Sequence, residues 1–435
     1  MPRTPNDPQD VQARLRRLRK AGRGRRKRAA PASTAGGRSS SQPREPVAPA
    51  LTPDAGPDVD CVSKLPGMRE VDGRGGRYLL RTLRFPLAHR QGQVSLGELL
   101  SLSEEAVARL ANADAFDVRQ AVFLDTETSG LAGGAGTIVF LTGVGVFEED
   151  AYVVRQYFAR NPAEERAYLP DLARFIEERG GLVTFNGRAF DWPLLRSRFL
   201  LSRVIPPDEH PHVDLLPPAR QLWRSRLGAC NFGNLERHIL GYRRSGQDIP
   251  SWRIPGLWFD FARGQGSVQE MAGVLYHNQE DIVSMAPLAH VIATTLAGER
   301  TPHPGDWLAL GRVWQRQGRL HQAEAAYRRA LEAPLPPSQR ALAMQELALL
   351  LKRSGRREEA VLWWEALAAM ELDEDVTALV ELAKHYEWHT GELARARAWT
   401  EEAIRRVQTW PTGWRRRQIL SELEHRRQRL EKKGA

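Results

Sequence analysis

The chain has 435 residues, 42% of them hydrophobic and 12 of them Trp, which is enough for two or three domains with sizeable cores. Its formal net charge of +10 is concentrated at the N-terminal end, because residues 1–60 carry 13 Lys and Arg against 6 Asp and Glu. Two cysteines, Cys61 and Cys230, exclude a disulfide framework and a four-cysteine zinc site. No apolar stretch approaches the length of a membrane span, so we expect a cytoplasmic protein with no membrane contact.

Residues 1–57 are predicted to be disordered. They contain the basic run RLRRLRKAGRGRRKR, followed by Pro, Ser, Gly and Ala with few large apolar side chains. Such a composition buries too little apolar surface to offset the entropy lost on ordering. The basic run fits a contact with a nucleic-acid backbone and, equally well, a solubilising tail.

Residues 58–117 are predicted to form an N-terminal segment that packs on the next domain. The run GGRYLLRTLRFPL predicts short strands, and SLSEEAVARLANA predicts a helix. Glu104 and Glu105 begin that helix, where acidic side chains interact favourably with the helix dipole. This segment carries no motif that indicates chemistry.

The segment AVFLDTETSG, residues 121–130, predicts a buried strand that ends in two acids. Asp125 and Glu127 are two residues apart, so their carboxylates share one face of the strand. Like charges that close raise the pKa of one carboxyl unless a cation lies between them. Oxygen ligands of this kind suit Mg²⁺ or Mn²⁺. A solvated acidic turn also explains an isolated D-x-E, so acids elsewhere in the chain must decide.

The following segments predict a hairpin and then a strand-to-helix junction. The glycine-rich link LAGGAGT lacks the Gly-Lys-Ser/Thr of a phosphate-binding loop, which excludes an ATPase of that type. IVFLTGVGVF and AYVVRQYFA predict neighbouring antiparallel strands. After a helix, the strand GLVTFNG leads into FDWPLL, where Asp191 is either a metal ligand or a helix N-cap.

The last candidate acid lies in the segment GSVQEMAGVLYHNQEDIVSMAPLAHVI. Ser267 and Glu270 form a capping box that begins a long helix. Helical spacing puts Asp281 on the apolar face that includes Val274 and Met285. An acid facing the core costs on the order of several kcal/mol unless a cation or a hydrogen-bond donor pairs with it. Asp281 is therefore predicted to have such a partner.

Three segments, FLDTETSGL, FNGRAFDWPLL and YHNQEDIVSM, occur in this order at the ends of predicted elements. On these segments, residues 118–298 resemble the DEDD exonucleases of the ribonuclease H-like superfamily. The resemblance implies an α/β ribonuclease H-like domain, in which helices flank a mixed central sheet. By position, Asp125 and Glu127 match the first two acids of the family, Asp191 matches the third and Asp281 the fourth.

The resemblance further implies that these four acids bind two divalent ions, Mg²⁺ or Mn²⁺. Two metals about 3.5–4 Å apart can activate water and stabilise the leaving oxygen of a phosphodiester. The leading hypothesis is therefore a metal-dependent nuclease, a 3′–5′ exonuclease acting on a single-stranded end of DNA or RNA. The alternative is a catalytically inactive adaptor that recruits partner proteins to nucleic acid.

The chain departs from the family at the residue that assists the attacking water. The two main branches place His five residues, or Tyr four residues, before the last acid, whereas this chain has Tyr276 at five and His277 at four. At about 100° per residue of a regular helix, His277 lies roughly 40° from Asp281 and Tyr276 roughly 140° from it. This geometry favours His277 as base or water-positioner, whereas a loop at this point would favour Tyr276. A structural role for His277 and an inert site stay open.

Other polar residues are candidates for substrate binding. Thr126 and Tyr276 adjoin the acids, and Asn186 and Arg188 offer donors to a phosphate near Asp191. The segments HVDLL and GNLERHILGYRRSGQDIP also resemble parts of the family that shape a substrate groove. Three polar residues of these segments are Asp214, Arg243 and Asp248. They either orient a metal-bound water or a phosphate, or they are ordinary polar residues at the surface.

Residues 302–435 predict helices with an internal repeat. Gly318, Gly355 and Gly391 recur at steps of 37 and 36 residues. A small residue follows each glycine after five positions, and in two repeats of three a bulky aromatic residue follows after nine. This spacing resembles tetratricopeptide repeats, whose period is about 34. The repeats are either a concave surface for a protein partner or a buttress for the nuclease-like domain.

Overall fold

The computed structural model describes residues 65–111, 113–130, 136–300, 303–370 and 375–434. The tail predicted to be disordered at residues 1–57, Cys61 and most of the glycine-rich link lie outside these ranges. Within them, no helix has both the length and the apolar character needed to cross a membrane.

The strands follow the order of the predicted elements. Their bounds are β1 Met68–Gly73, β2 Gly76–Pro86, β3 Arg90–Gln91, β4 Val94–Ser95, β5 Ala121–Thr128, β6 Val139–Phe147, β7 Ala151–Phe158, β8 Gly181–Thr184 and β9 His212–Asp214. Seven of them form one sheet in the order β1-β2-β7-β6-β5-β8-β9, and β3 and β4 form a separate pair.

The sheet is mixed, which confirms the predicted fold class. The strands from β1 to β5 in the sheet order pair antiparallel, including β6 with β7 as predicted. The strands β5, β8 and β9 pair parallel. Residues 58–117 were expected to pack on the next domain as a separate N-terminal segment. In the structure, β1 and β2 of this segment are strands of the central sheet and extend it beyond β7.

Helices flank the sheet and then continue to the C-terminal end. In the domain that contains the sheet they are α1 Glu104–Ala111, α2 Glu165–Glu177, α3 Asp191–Leu201, α4 Leu216–Leu227, α5 Phe232–Leu235, α6 Ile254–Ala262 and α7 Val268–Ala297. The C-terminal helices are α8 Pro304–Arg316, α9 Leu320–Glu332, α10 Pro337–Arg353, α11 Arg357–Ala368, α12 Thr377–Trp388, α13 Leu393–Gln408 and α14 Trp414–Gly434.

Alternate residues of β5 serve two different cores. Val122 and Leu124 belong to the apolar cluster that β5 shares with α2 and α3. Phe123 belongs to the cluster on the opposite face, which includes α7. Because successive strand residues point to opposite faces, Asp125 and Glu127 continue the face of Phe123 toward α7, and Thr126 continues the other face.

Two glycines of β6 let α7 approach the sheet closely. A Cβ atom on Gly143 would lie 2.2 Å from Oδ1 of Asn278 in α7, and one on Gly145 would lie 2.7 Å from Ile282. Gly143 is also the residue paired with Asp125 across β5 and β6. The glycines of TGVGV therefore leave the room that α7 and the Tyr152 ring occupy beside β6.

The repeated glycines of the C-terminal region each follow a helix. Gly318, Gly355 and Gly391 all have positive φ angles, between 75° and 79°, a conformation that glycine adopts without strain. The residues five and nine positions after each glycine are fully buried; they are Ala323, Ala360, Ala396, Tyr327, Trp364 and Thr400. The helical hairpins thus repeat the same buried positions.

Buried polar contacts join the C-terminal helices to the preceding domain. Arg226 of α4 forms an ion pair of 2.8 Å with Asp306 of α8, whose side chain is completely buried. Trp314 of α8 donates a hydrogen bond of 3.0 Å to the carbonyl of Leu296 in α7. The two parts of the chain therefore meet through a specific interface.

Replacing Glu387 with Gln is expected to destabilise the C-terminal helices by about 3 kcal/mol at neutral pH. The buried Glu387 carboxylate of α12 contacts Arg426, Arg429 and Lys433 of α14 at 2.8 to 2.9 Å. Burial opposes ionisation, but Arg429 and Lys433 outweigh it and lower the pKa of Glu387 from 4.5 to about 2. This stabilisation is complete above pH 4.5 and is lost as the pH falls through about 2.

Urea denaturation followed by circular dichroism measures this change. The matched control is Glu401→Gln, which removes an exposed pair with Arg397 and should cost less than about 1 kcal/mol. An equal decrease in the free energy of unfolding for the two substitutions would show that the contacts of Glu387 with α14 stabilise the protein no more than an exposed ion pair does.

Candidate active site

The carboxyl ends of two parallel strands bring three acids to one edge of the sheet. Asp125 and Glu127 end β5, directly after four residues that are fully buried. Asp191 is the first residue of α3, which follows β8. Since β5 and β8 run parallel, their carboxyl ends meet at the same edge.

Thr126 joins the third acid to the first two. Its backbone N–H and its hydroxyl donate to Oδ1 of Asp191, at 3.1 and 2.5 Å. Thr126 faces α3 because it alternates with Asp125 and Glu127 along the strand. The candidate substrate-binding residue Thr126 therefore positions Asp191 in this structure.

The fourth acid reaches the same place from α7. The helix is regular from Val268 to Ala297, so His277 and Asp281 lie one turn apart, with His277 Nε2 at 3.5 Å from Asp281 Oδ2. One ligand atom each from Glu127, His277 and Asp281 lie within 4.8 Å of one another. His277, rather than Tyr276, therefore lies on the same face of the helix as Asp281, as expected for a regular helix at this point.

His277 is held on both ring nitrogens. Nδ1 lies 2.7 Å from Oδ1 of Asp248, and Nε2 lies 3.2 Å from the Ser251 hydroxyl. Burial disfavours the imidazolium, but Asp281 and Asp248 outweigh burial and raise the pKa of His277 to about 9. The candidate residue Asp248 therefore acts on His277 directly.

Burial raises the pKa values of three of the acids, and repulsion from neighbouring acids adds to this effect. Burial raises the pKa of Asp125 well above its ordinary value, and the charges of Asp281, Asp191 and Glu127 raise it further. Burial raises the pKa of Glu127 to about 8, although the positive charge of His277 opposes this. Burial also raises the pKa of Asp191 to about 6, against the hydrogen bonds from Thr126. Such a cluster of acids favours the binding of cations.

In EDTA, the stability of the chain is expected to fall as the pH rises from about 4.5 to 8. Glu127 has a pKa raised from 4.5 to about 8, and Asp191 one raised from 3.8 to about 6. The folded state therefore binds these protons more tightly than the unfolded state, and its advantage decreases as they dissociate. Urea midpoints across this range measure the slope. Glu127→Gln should make it shallower, and an unchanged slope would contradict the pKa shift of Glu127.

Sequence reasoning missed the cation that lies among the acids. Arg244 is nearly buried and contacts Asp281 as well as Glu236, the latter at 2.7 Å. Neither Arg244 nor Glu236 was a candidate, because the spacing of GNLERHILGYRRSGQDIP does not distinguish Arg244 from its neighbour. Arg243, the candidate, is exposed at the rim of the adjacent cleft.

Asn278 was also missed, although it is adjacent to His277. Its side-chain amide donates to Oδ2 of Asp125 at 2.8 Å, and its Oδ1 accepts from Gln156 of β7 at 2.9 Å. These bonds explain the close approach of α7 at Gly143. The glycine in β6 and the buried glutamine in β7 were the available signals, but they acquire meaning only once the strands are paired.

The remaining candidates lie beside the acids. Asp214 accepts the backbone N–H groups of Asn186 and Arg188, at 2.8 and 3.2 Å, and so shapes the turn after β8. The Arg188 guanidinium donates to the carbonyl of His212. The Tyr276 hydroxyl accepts the N–H of Ser245 at 3.1 Å. In this structure these contacts organise the loops around the site.

The residues present fit a site for hard divalent cations. The donors are carboxylate oxygens, which Mg²⁺ and Mn²⁺ prefer. Burial raises the pKa of Asp125, and the charges of the neighbouring acids raise it further, so a cation among them would stabilise the ionised carboxylates. Glu127, His277 and Asp281 offer one ligand atom each within 4.8 Å of one another, and the Asp125 and Asp191 carboxyls belong to the same group of interacting acids.

The fold and this cluster define a protein of the ribonuclease H-like class. A family model described as RNase_H superfamily matches residues 122–293, which contain all four acids. The chain is also similar to a Bacillus subtilis (strain 168) protein, "Uncharacterized protein YprB", with 32% identity over 335 residues. The overlap covers 75% of this chain and 80% of that protein. The chain therefore belongs to the family of YprB within the RNase_H superfamily.

Proposed function

We propose that this protein is a nuclease that uses two divalent ions, Mg²⁺ or Mn²⁺, to hydrolyse phosphodiester bonds. We further propose that it is a 3′–5′ exonuclease of the DEDD type that acts on a single-stranded end of DNA or RNA. The observation that carries the proposal is the convergence of Asp125, Glu127, Asp191 and Asp281 from β5, α3 and α7 in an RNase_H superfamily domain.

Each part of the site has a role in this proposal. The four carboxylates hold the ions, and Thr126 and Asn278 orient Asp191 and Asp125 through the hydrogen bonds that they donate. Two ions bound there would supply an activated water and a stabilised leaving oxygen. His277 lies within one helical turn of Asp281, and in this proposal it orients that water. To accept its proton, His277 must first be neutral, which its contacts with Asp248 and Asp281 oppose.

The C-terminal helices support a second, separate role. Residues at fixed offsets after each repeated glycine are buried, and these glycines have positive φ angles. Both features are consistent with tetratricopeptide-like repeats. We propose that this helical array presents a surface for a protein partner. The Arg226–Asp306 pair would then hold the array in a fixed position against the nuclease domain.

One observation favours the catalytically inactive adaptor as the alternative function. Arg244 and His277 already place positive charge against Asp281, so the cluster is partly compensated by the protein itself. In the adaptor, this compensation would replace the ions. Metal binding separates the two functions, because the adaptor needs no Mn²⁺.

The direct test is hydrolysis of single-stranded oligonucleotides by the full chain in Mn²⁺. DNA and RNA labelled at the 5′ end should give ladders of products shortened from the 3′ end, whereas substrates blocked at the 3′ end should persist. Internal cuts in blocked substrates would contradict the exonuclease assignment. Absence of any hydrolysis in both Mn²⁺ and Mg²⁺ would favour the adaptor.

A further inference from the structure

A cleft of about 720 Å³ opens beside His277 and Asp281. One wall is the segment from Asn231 to Arg237, and the other is the loop from Tyr242 to Trp252. Its volume lies within the range of about 300–1,000 Å³ that is usual for ligand sites. Beyond the acids, the lining includes a single large exposed aromatic side chain, Trp252, within the part of the chain that the structure describes.

Trp252 is 74% exposed, and the residues on either side of it contact α7. The preceding residue, Ser251, contacts Nε2 of His277, and the following residue, Arg253, donates to Glu270 of α7 at 3.0 Å. The turn that carries the indole is therefore anchored on both sides to the helix of the candidate site. Because the turn is held on both sides of Trp252, less of the chain must be ordered when a ligand binds against the indole.

Two arginines add uncompensated positive charge to the same cleft. Arg237 and Arg243 are both exposed, and neither has an acidic partner among residues with described positions. By contrast, Arg244 and Arg253 are both paired with acids. Guanidinium groups bind phosphate through paired N–H donors, so the two unpaired arginines suit a phosphate backbone.

We infer that this cleft binds single-stranded nucleic acid, with a base stacked on Trp252 and phosphates bound by Arg237 and Arg243. The identity of the ligand rests on the proposed function. An indole offers its face to any base, so recognition here is tolerant of sequence. It requires an unpaired base, because base faces are covered within a duplex. The cleft thus selects strands that are already single and leads them toward Asp281.

The inference is tested by fluorescence anisotropy of a labelled mixed-sequence oligonucleotide, in EDTA so that binding is separated from hydrolysis. Salt of about 0.3 M weakens any general phosphate contact that the basic run near the N-terminus makes. Trp252→Ala in the full chain is expected to raise the Kd about 5- to 150-fold, as for loss of one stacked base. Trp252→Phe should restore most of the binding, and Arg237→Gln with Arg243→Gln should weaken it and reduce its salt dependence.

The matched control is Trp414→Ala, because Trp414 is similarly exposed, at 71%, but lies in α14. It should leave the Kd unchanged. Equal weakening by the two alanine variants, no effect of Trp252→Ala, no binding by the wild type, or equally tight binding of a blunt duplex would each overturn the inference. If Trp252→Ala weakens binding but the wild type hydrolyses nothing in Mn²⁺, the nuclease proposal fails while the binding cleft stands.

Discussion

Asp125→Asn is expected to reduce Mn²⁺-dependent hydrolysis at least about 1,000-fold while leaving the fold intact. The charges of the other three acids all raise the pKa of Asp125, whose carboxylate accepts a hydrogen bond from Asn278. The amide keeps the shape of the side chain but removes a negative charge that, in the proposed site, holds a cation. Each tenfold loss of rate corresponds to about 1.4 kcal/mol, so the expected loss requires only about 4 kcal/mol of stabilisation.

The rate is measured with the 5′-labelled oligonucleotide under single-turnover conditions. Asp260→Asn is a suitable control, because Asp260 is an exposed acid of α6 in the same domain. Circular dichroism and the urea midpoint should show that Asp125→Asn remains folded. Activity within tenfold of the wild type would show that the acids of β5 do not form the catalytic centre.

Arg244→Met is expected to destabilise the metal-free chain by about 3–5 kcal/mol. The Arg244 guanidinium pairs with Glu236, Asp281 and, at 3.5 Å, Asp248. Methionine fills much of the same space without charge, so the buried Glu236 and the half-buried Asp281 would lose their arginine partner. A bound cation would supply the missing charge, so Mn²⁺ should stabilise the variant more than it stabilises the wild type.

Urea denaturation in EDTA and in Mn²⁺ gives both quantities. The neighbouring substitution Arg243→Met is the matched control, because Arg243 is exposed and has no acidic partner in the described parts of the chain. It should cost less than about 0.5 kcal/mol. If the two substitutions had the same effect, or if Mn²⁺ did not stabilise Arg244→Met beyond the wild type, then Arg244 would not compensate the acids.

The fold class was predictable because each central element has its own sequence signal. The apolar run before Asp125, the paired runs of β6 and β7, and the N-cap residue Ser267 mark elements by periodicity and turn chemistry. The predicted capping box is not formed in full, because Ser267 accepts the N–H of Gln269 whereas Glu270 accepts from Arg253. The sheet order carries no comparable signal. The addition of β1 and β2 beyond β7 depends on which edges remain unpaired after folding, and that is a tertiary property.

Within the site, the sequence indicated the acids but not what surrounds them. Asp125 and Asp281 were recognisable because each is an acid that interrupts an apolar pattern, and that pattern is visible in the local sequence. Arg244 gave no such signal, because in a polar loop an arginine that turns inward looks like one that turns outward. Asn278 became interpretable only when Gly143 was seen to face it across the contact between α7 and β6.

Isothermal titration of the full chain with Mn²⁺ at neutral pH tests the central claim most directly. If Asp125, Glu127, Asp191 and Asp281 form a two-metal site, the wild type should bind two ions per chain and Asp125→Asn should lose at least one of them. Absence of Mn²⁺ binding to the wild type, or binding that is unchanged in Asp125→Asn, would contradict it.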